Sequence, residues 1–300
     1  MLRIRPECLP CTFSTGIRMV KIATGDLGLQ RLTAQEIASR LSEVTWEEAP
    51  LDLSYVIQRV IADITGVKDP YREIKRKSNL AIIRRYGELR ARIRNAADPL
   101  EAAVKLAIAG NIIDFGPYAE VDLDQPFKKI SDDLAVNDFP AFRRSVMESR
   151  SLLYFLDNAG EIVFDKLLIE TMIDVRGRFF DKVGLVVKEA PLVNDATLED
   201  AEEIGLTEIQ NASIMLVGNG HGSAPSFRSR EVESWINHYD LVIFKGQANF
   251  EIFEDKRGFF MLIVKCPVIA EALGVKVGDM VLKYSAREKC RNSGCTSPCS

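Results

Sequence analysis

Residues 151–165 read SLLYFLDNAGEIVFD, and within this segment a strand pattern gives way to a helix pattern. Residues 152–156 form a continuous apolar run, which is typical of a strand buried on both faces of a sheet. Residues 157–160 form a short polar turn, after which apolar residues return at helical spacing. The segment therefore predicts one strand–turn–helix unit of an α/β sheet. Asp157 and Asn158 would lie at the carboxyl end of its strand, where such sheets bind ligands.

Further strand patterns alternate with helical segments toward the carboxyl terminus. They span 183–187, 213–217, 241–244 and 259–264, with a short last strand around 280–283. This alternation predicts a largely parallel sheet covered by helices on both faces. Because right-handed crossovers bring the ends of parallel strands to one edge, we expect polar strand ends to gather there. These residues are Asp157, Asn158, Lys188, Asn194, Asp195, Asn219, Lys245, Asn249 and Lys265.

Helical periodicity fills the chain before this sheet, from about residue 12 to residue 111. Its clearest apolar stripe runs through residues 53–64, with Asp52 as the expected N-cap. Two further helices are predicted over 124–137 and 138–147. We therefore predict an all-helical subdomain over residues 1–110 and an α/β domain over residues 111–300, with a sheet of about six strands.

The composition is that of a globular protein with an ordinary core, since 47% of the residues are hydrophobic. A net charge of -4 offers no electrostatic argument for binding nucleic acid or an anionic membrane. No apolar run approaches the ~20 residues that span a bilayer, and the first residues lack the apolar core of a signal peptide. We therefore expect a cytoplasmic protein without nucleic-acid or membrane partners, and its oligomeric state stays open.

The six cysteines need a separate explanation, because thiols stay reduced in the cytoplasm. Cys8 and Cys11 form a C-x-x-C pair, which can supply half of a metal site or act as a redox pair. Together with three cysteines near the carboxyl terminus, they are a candidate second metal or redox site. Buried free thiols, or a disulfide that fastens the tail, are the alternatives. The terminal three are Cys290, Cys295 and Cys299.

The polar strand ends suit a divalent cation and a phosphate ester. Asp157, Asn158 and Asp195 offer hard oxygen ligands of the kind that Mg²⁺ or Mn²⁺ prefers. Lysines at neighbouring strand ends, and a glycine-rich turn at 218–222, add positive charge and accessible backbone N–H groups. Metal, lysine and backbone N–H groups together predict a phosphate-ester site. Ordinary structural roles are the alternative: the acids could cap helices, and the lysines and glycines could serve only the surface and the turns.

Two smaller observations bear on the same chemistry. Asn111 and Asp114 would share one helix face, and such a polar pair is unusual in an otherwise apolar stretch; a helix end at Gly116 is the alternative. Aspartyl-phosphate enzymes of the haloacid-dehalogenase type usually have a second Asp two residues after the nucleophile, where this chain has Ala159. We therefore predict a metal-bound water as the nucleophile, with Asp157 as the alternative.

Several motifs together resemble the damage-control phosphatases, a family first catalogued as domain-of-unknown-function family 89. The Cys8-x-x-Cys11 pair indicates its cysteine-bearing prokaryotic and archaeal branch, and the resemblance covers nearly the whole chain. The other matching motifs are Asp157–Glu161, Lys188…Pro191…Asn194-Asp195, Lys245–Asn249 and Gly110-Asn111…Asp114.

The resemblance implies a metal-dependent phosphatase with an N-terminal helical bundle and a three-layer α/β/α sandwich. It implies that Asp157, Asn158 and Asp195 bind one divalent ion (manganese, cobalt, nickel or magnesium) and act in catalysis. Family substrates are reactive or damaged phosphometabolites, including sugar phosphates and pantetheine phosphates. Lys265 matches a phosphate-binding lysine of the sugar-phosphate branch, although the residues around it differ. With the strand ends, the candidate substrate-binding residues are Asn111, Asp114, Glu161, Lys188, Asn194, Asn219, Lys245, Gly246, Gln247, Ala248, Asn249 and Lys265.

Two functions of other classes stay open. One is an S-adenosylmethionine-dependent carboxyl methyltransferase, because one eukaryotic relative is described as methylating protein glutamates. Such a methyltransferase would need a glycine-rich turn after the first strand and an acid at the end of the second. This chain fits both requirements poorly, since it has Asp-Asn-Ala-Gly at 157–160 and Lys188 at those places. The other is a cysteine-bound metal or redox protein without enzymatic activity, in which the sheet serves as a scaffold.

Overall fold

The structure, a computed structural model, describes residues 1–110, 126, 129 and 131–286 of the 300-residue chain. Residues 1–110 fold into helices and contain no strand. The helices are α1 (Cys8–Ala23), α2 (Leu27–Ser42), α3 (Pro50–Thr65), α4 (Arg72–Ile83), α5 (Tyr86–Arg94) and α6 (Pro99–Ala109). In the described part of the chain, no helix is both long and apolar enough to cross a bilayer.

Strands and helices alternate from residue 136 onward. The strands are β1 (Val136–Asn137), β2 (Ser151–Phe155), β3 (Lys182–Lys188), β4 (Ala212–Val217), β5 (Leu241–Lys245), β6 (Gly258–Ile263) and β7 (Met280–Ser285). The helices are α7 (Phe139–Glu148), α8 (Ile162–Arg176), α9 (Leu198–Glu203), α10 (Arg230–His238), α11 (Gln247–Phe253) and α12 (Pro267–Leu273), with a 3₁₀ turn at Leu206–Glu208.

The seven described strands form one sheet in the order β1-β7-β6-β5-β2-β3-β4. Neighbouring strands are parallel except for β6 and β7, which are antiparallel. The prediction of an α/β fold with a largely parallel sheet is therefore confirmed. The helix predicted over 124–137 is wrong at its end, because Val136 and Asn137 pair with β7 as a two-residue strand. A strand this short has no periodicity that a sequence pattern could reveal.

Both faces of the sheet are buried, which explains the continuous apolar runs. Leu152 and Tyr154 of β2 point into the core beneath α6, α7 and α8. The intervening Leu153 and Phe155 point into the core beneath α10, α11 and α12. Because side chains alternate along a strand, one apolar run supplies both layers of the sandwich.

A separate apolar core holds α1, α2 and α3 together, and it includes Met19, Ile37, Ile57 and Ile61. The predicted stripe of α3 is thus its buried face. Asp52 is not the N-cap, however, since it lies in the first turn and its carboxylate accepts a hydrogen bond from the Ala49 N–H at 2.9 Å. Helix α6 packs against α8 in the sheet layer. The domain boundary at residue 110 stays a prediction.

The chain direction across the sheet reverses at β2. From β2 the chain moves outward to β3 and then β4, whereas β5 returns to the other side of β2 and leads outward to β6. At such a reversal the two loops leave in opposite directions, and a crevice opens beyond the carboxyl ends of the two strands. The turn after β2 and the turn after β5 therefore define the place where a ligand is expected.

Candidate functional site

A cavity of about 250 Å³ opens beyond the carboxyl ends of β2 and β5. The sheet loops form its floor, and helices α1 and α3 contribute to its wall. Its lining residues are Thr15, Leu51, Ser54, Asp157, Asn158, Leu192, Val193, Asn194, Asp195, Gln247, Ala248, Glu251 and Lys265. Seven of these were predicted from the sequence as site residues: Asp157, Asn158, Asn194, Asp195, Gln247, Ala248 and Lys265.

Backbone hydrogen bonds hold two acidic loops side by side. One is the turn after β2, which carries Asp157, and the other is the loop after β3, which carries Asp195. The Ala159 N–H donates to the Asn194 carbonyl at 3.0 Å, and the Ala196 N–H donates to the Asp157 carbonyl at 2.8 Å. Asn158 and Asp195 therefore pair as an isolated antiparallel bridge. This pairing places the carboxylates of Asp157 and Asp195 in one cavity although they are far apart in the sequence.

Neither acid caps a helix, so the ordinary structural explanation does not apply to them. The N-cap of α8 is Glu161, and the N-cap of α9 is Thr197, whose N–H and hydroxyl both donate to Asp200. Asp157 and Asp195 are only 6% and 8% exposed. Two buried carboxylates that serve no helix require another explanation.

The electrostatics of the pair indicate an excess of buried negative charge. Burial, followed by the charges of Glu161 and Asp195, raises the pKa of Asp157 to about 8, against the opposing effect of Lys245 and Lys265. Burial also raises the pKa of Asp195, although Lys188 partly offsets it. A cation bound between the two acids would favour their charged forms.

The residues present fit a divalent ion. Lys188 Nζ lies 3.3 Å from Asp195 Oδ2, but within the described residues no donor is aligned with this buried oxygen as a hydrogen bond requires. The Asn158 amide nitrogen donates to Asp157 Oδ2 at 3.0 Å and to Glu161 Oε1 at 2.8 Å, which leaves its carbonyl oxygen as a potential ligand.

The ligand set is small, and that favours one kind of metal site. Among the described residues, no group of three or more His, Cys, Asp or Glu side chains is arranged to hold a metal, in this cavity or elsewhere. Mg²⁺ is commonly bound through one or two carboxylates together with waters and substrate phosphates. Two acids and one amide therefore fit an ion whose remaining ligands are water and phosphate oxygens.

Lys245 lies beneath the cavity and does not line it. Its side chain is fully buried, with Nζ 3.0 Å from Glu161 Oε2 and 3.8 Å from Asp165 Oδ1. Burial alone would lower the pKa of Lys245, but the acids around it outweigh burial and hold its pKa above the usual range. Tyr154 also donates to Asp165 at 2.7 Å. The structure thus places Lys245 as a buried counter-ion to the Asp157 loop.

Gly246 is required where β5 meets the acidic loop. Its φ of +84° is in the left-handed region, and a Cβ at this position would lie 1.9 Å from Asp157 Oδ2. Its N–H donates to the Met261 carbonyl at 2.9 Å. Asn249 donates to the carbonyls of Leu156 and Lys245 at 3.1 and 2.6 Å. Gly246 and Asn249 therefore shape the turn from below, whereas Gln247 and Ala248 line the cavity.

Three other residues predicted as substrate-binding do not line the cavity. Lys188 is buried against the Phe227 ring, with Nζ 4.4 Å from the ring centre, and pairs with Asp195. Asn219 is exposed, and its side chain accepts a hydrogen bond from the His221 N–H at 3.1 Å within its own loop. Glu161 contacts Asn158 and Lys245 under the cavity. Asn111 and Asp114 lie outside the described residues.

The predicted anion-binding turn at 218–222 is anchored by a carboxylate of the chain itself. The N–H groups of Ser223 and Ala224 donate to Glu189 Oε1 at 2.6 and 2.8 Å. The Ser223 hydroxyl also donates to this oxygen at 2.6 Å, and its hydrogen bond, followed by those of the two N–H groups, lowers the pKa of Glu189 below its usual value. The N–H groups directly after the turn therefore bind an anion, which is the Glu189 side chain in the loop after β3.

Only two of the five cysteines of the predicted second metal or redox site, Cys8 and Cys11, lie among the described residues. Cys8, Cys11 and Cys266 are free thiols, and burial raises the pKa of both Cys8 and Cys11. Cys266, which was not predicted as a site residue, has its sulfur 3.5 Å from the Gln247 amide nitrogen at the cavity wall. Cys290, Cys295 and Cys299 lie outside the described residues, so a second metal or redox site stays a prediction.

Sequence reasoning missed several lining residues. Thr15 and Ser54 come from α1 and α3, and no local pattern connects them with a strand end more than a hundred residues away. Glu251 had a signal: it lies one helical turn after Gln247, whose amide donates to its Oε1 at 3.1 Å. Glu251 is also only 7% exposed, and burial to this degree is rare for an acid.

Replacing Glu251 with Gln is expected to change how stability depends on pH. Burial raises the pKa of Glu251 to about 7, from 4.5, so the folded state binds the proton more tightly than the unfolded state. The free energy of unfolding therefore falls as the pH rises from 4.5 to 7, by roughly 3 kcal/mol from this group. Urea unfolding of both proteins at pH 5 and pH 8 should show that the Glu251→Gln variant gains on the wild type at the higher pH. A difference independent of pH would contradict the assignment.

The chain matches the family described as the damage-control phosphatase ARMT1-like domain over residues 4–281. It is 33% identical to a damage-control phosphatase of Pyrococcus horikoshii, over 93% of this chain and 97% of that protein. It is 30% identical to a damage-control phosphatase of Archaeoglobus fulgidus, over 94% of this chain and 99% of that protein. The crystal structure of a domain-of-unknown-function-89 family protein from P. horikoshii has a TM-score of 0.81 and 29% identity, and covers 95% of this chain and 99% of that one.

Proposed function

Because the chain belongs to the damage-control phosphatase family with the ARMT1-like domain, we propose that it hydrolyses phosphate monoesters of small metabolites with one divalent metal ion. Relatives named damage-control phosphatases, at 33% and 30% identity over nearly the full length, support the phosphatase role. The pair of buried carboxylates at the sheet reversal, Asp157 and Asp195, supports the metal dependence.

The size and charge of the cavity support a small phosphorylated substrate. Its volume of about 250 Å³ suits a compact ester such as a sugar phosphate better than a nucleotide. The acids supply negative charge on one side, and the exposed Lys265 supplies positive charge at the rim. The negatively charged phosphoryl group of an ester would fit between a bound ion and Lys265, because both would stabilise its charge.

Each residue of the site has a defined part in this proposal. Asp157, Asp195 and the Asn158 carbonyl would hold the ion, which when bound offsets charge on the phosphoryl oxygens and lowers the pKa of a water. Lys265 would orient the phosphate of the substrate. Lys245 donates a hydrogen bond to Glu161, and Glu161 in turn accepts one from the Asn158 amide nitrogen, so that the Asn158 carbonyl oxygen is left for the ion.

We favour water over Asp157 as the nucleophile. The Asp157 carboxylate accepts a hydrogen bond from Asn158 and lies against Gly246, which leaves it little freedom to move toward a phosphorus atom. In the reaction, an oxygen–phosphorus bond forms to water as the ester oxygen leaves. The leaving oxygen then takes up a proton, and inorganic phosphate and an alcohol are released.

Phosphate release by the full-length chain tests this function. The protein is stripped with a chelator and then supplied with Mg²⁺, Mn²⁺, Co²⁺ or Ni²⁺, with an aryl phosphate and a panel of sugar phosphates as substrates. We expect hydrolysis that requires one of these ions and is abolished by the chelator. Hydrolysis without any metal would contradict the metal site. Inactivity with every ion, together with calorimetric binding of S-adenosylmethionine, would favour the methyltransferase alternative.

A further inference from the structure

Asn79 of α4 connects the two acidic loops through its fully buried side chain. Its Oδ1 accepts a hydrogen bond of 2.6 Å from the Gly160 N–H, in the turn that follows Asp157. Its amide nitrogen donates to Asp200 Oδ1 at 3.1 Å and to Glu203 Oε2 at 2.9 Å. One carboxamide on a helix of the N-terminal segment therefore holds the Asp157 turn and the start of α9 at a fixed separation.

Asp200 continues this connection toward Asp195. Its Oδ2 accepts hydrogen bonds from the Thr197 N–H at 3.0 Å and from the Thr197 hydroxyl at 2.8 Å, two residues after Asp195. Lys75 Nζ lies 3.1 Å from the same oxygen, and this lysine is 4% exposed. A buried charge with these partners has one low-energy arrangement, so the beginning of α9 cannot shift without breaking several hydrogen bonds.

Gln58 of α3 holds the other side of the Asp195 loop. Its Oε1 accepts a hydrogen bond of 3.0 Å from the Val193 N–H, and its amide nitrogen donates to the Lys68 carbonyl at 2.7 Å. Val193 has a φ of +52°, which is unfavourable for a β-branched residue and persists only where the surroundings impose it. Two residues later the chain reaches Asp195, so the strained residue sets the direction in which that carboxylate enters the cavity.

We propose that Asn79 and Gln58 are positioning residues that fix the separation of the Asp157 and Asp195 carboxylates and thereby set the affinity for the divalent ion. This inference rests on the proposed metal site. Neither residue touches the cavity ligands directly; each acts through the backbone of a loop. Helices α3 and α4 thus both help to complete the metal site, and α3 also forms part of the cavity wall.

A structural explanation competes with this one, since the same hydrogen bonds also hold helices against the sheet. The two differ in what they predict for metal affinity at a temperature where the protein is fully folded. Partners that orient metal ligands typically change metal affinity by 10–100-fold when they are removed. A contact that only stabilises the fold changes the unfolding midpoint and leaves the affinity of the folded protein unchanged.

The test measures Mn²⁺ affinity by calorimetry on the full-length wild type and on N79A, N79S and Q58M, with urea unfolding of each. The matched control is Q30A, because the Gln30 amide donates to the Thr24 carbonyl at 2.7 Å on α2, away from the cavity. We expect the Kd for Mn²⁺ to rise about 10–100-fold in N79A and Q58M, and to stay at the wild-type value in Q30A.

The outcomes separate this inference from the proposed function. A wild-type chain that binds no Mn²⁺ overturns the metal site and this inference with it. A wild type that binds Mn²⁺, with unchanged Kd in the folded Asn79 and Gln58 variants, overturns only this inference. If N79A fails to fold, N79S replaces it, because serine retains a polar side chain at this position. Q58M affects the Asp195 loop alone. The Kd for Mn²⁺ of these variants, compared with that of Q30A, then decides whether the inference holds.

Discussion

Asp157→Asn is expected to reduce metal-dependent phosphate release by about 10²–10³-fold, while the protein stays folded. The substitution keeps the shape of the side chain and removes one of the two carboxylates proposed to hold the ion. A bound ion stabilises the charge of the transition state by several kcal/mol, so weaker binding of the ion should slow the reaction. Burial and neighbouring acids already disfavour the charged form of Asp157, raising its pKa to about 8. Removing that charge therefore should not lower the free energy of unfolding of the metal-free protein. The measurement combines initial rates at saturating Mn²⁺ with urea unfolding in the presence of a chelator.

Asp181→Asn is the matched control for this experiment. Asp181 lies at the opposite, amino-terminal edge of the sheet, directly before β3, and pairs with Arg150 at the surface. We expect wild-type rates from this variant. Full metal-dependent activity in Asp157→Asn would remove Asp157 from the site. A loss of activity that accompanies a loss of folded protein would instead give Asp157 a structural role.

Lys245→Met is expected to lower the free energy of unfolding by about 3–5 kcal/mol. The substitution leaves the carboxylates of Glu161 and Asp165 buried without the ammonium group that lies 3.0 and 3.8 Å from them. Breaking one partner of a buried ion pair is costly because the remaining charge has lost both water and its counter-ion. Urea unfolding at pH 7 measures the loss.

Two further variants identify the cause of that loss. In the double variant Lys245→Met with Glu161→Gln, the unpaired charge of Glu161 is removed, and part of the lost stability should return. Lys256→Met breaks an exposed pair with Glu233, 2.5 Å apart, and should cost about 1 kcal/mol or less. If Lys245→Met unfolds at the same urea concentration as Lys256→Met, then Lys245 is not a buried counter-ion, and direct contact with substrate phosphate becomes the better explanation.

The prediction from sequence was accurate for the strands and for the edge of the sheet. Strand β2 was predicted at 152–156 and spans Ser151–Phe155, and the strands after it were placed within one or two residues of their ends. Apolar runs report burial on both faces, and this information is local to each segment. Strand β1 was not predicted, because its two residues, Val136 and Asn137, are too few to show any periodicity.

The sequence was a weaker guide to which polar strand ends meet in the cavity. Asp157 and Asp195 both line it, whereas Lys188 and Lys245 end their strands at the same edge and point into buried ion pairs beneath it. The direction of a side chain at a strand end depends on the partners that the neighbouring loops bring, and these come from other parts of the chain. Sequence position alone could not distinguish a cavity lysine from a counter-ion.

By itself, then, the sequence determined the α/β architecture, the edge where polar residues gather and the family to which the chain belongs, because periodicity and short motifs are written in consecutive residues. Only the tertiary structure decided how the site is completed. The contacts of Asn79 with Gly160 and of Gln58 with Val193 join residues 81 and 135 positions apart. A hydrogen bond between such residues leaves no local pattern, since either side chain alone would look like an ordinary polar residue of a helix.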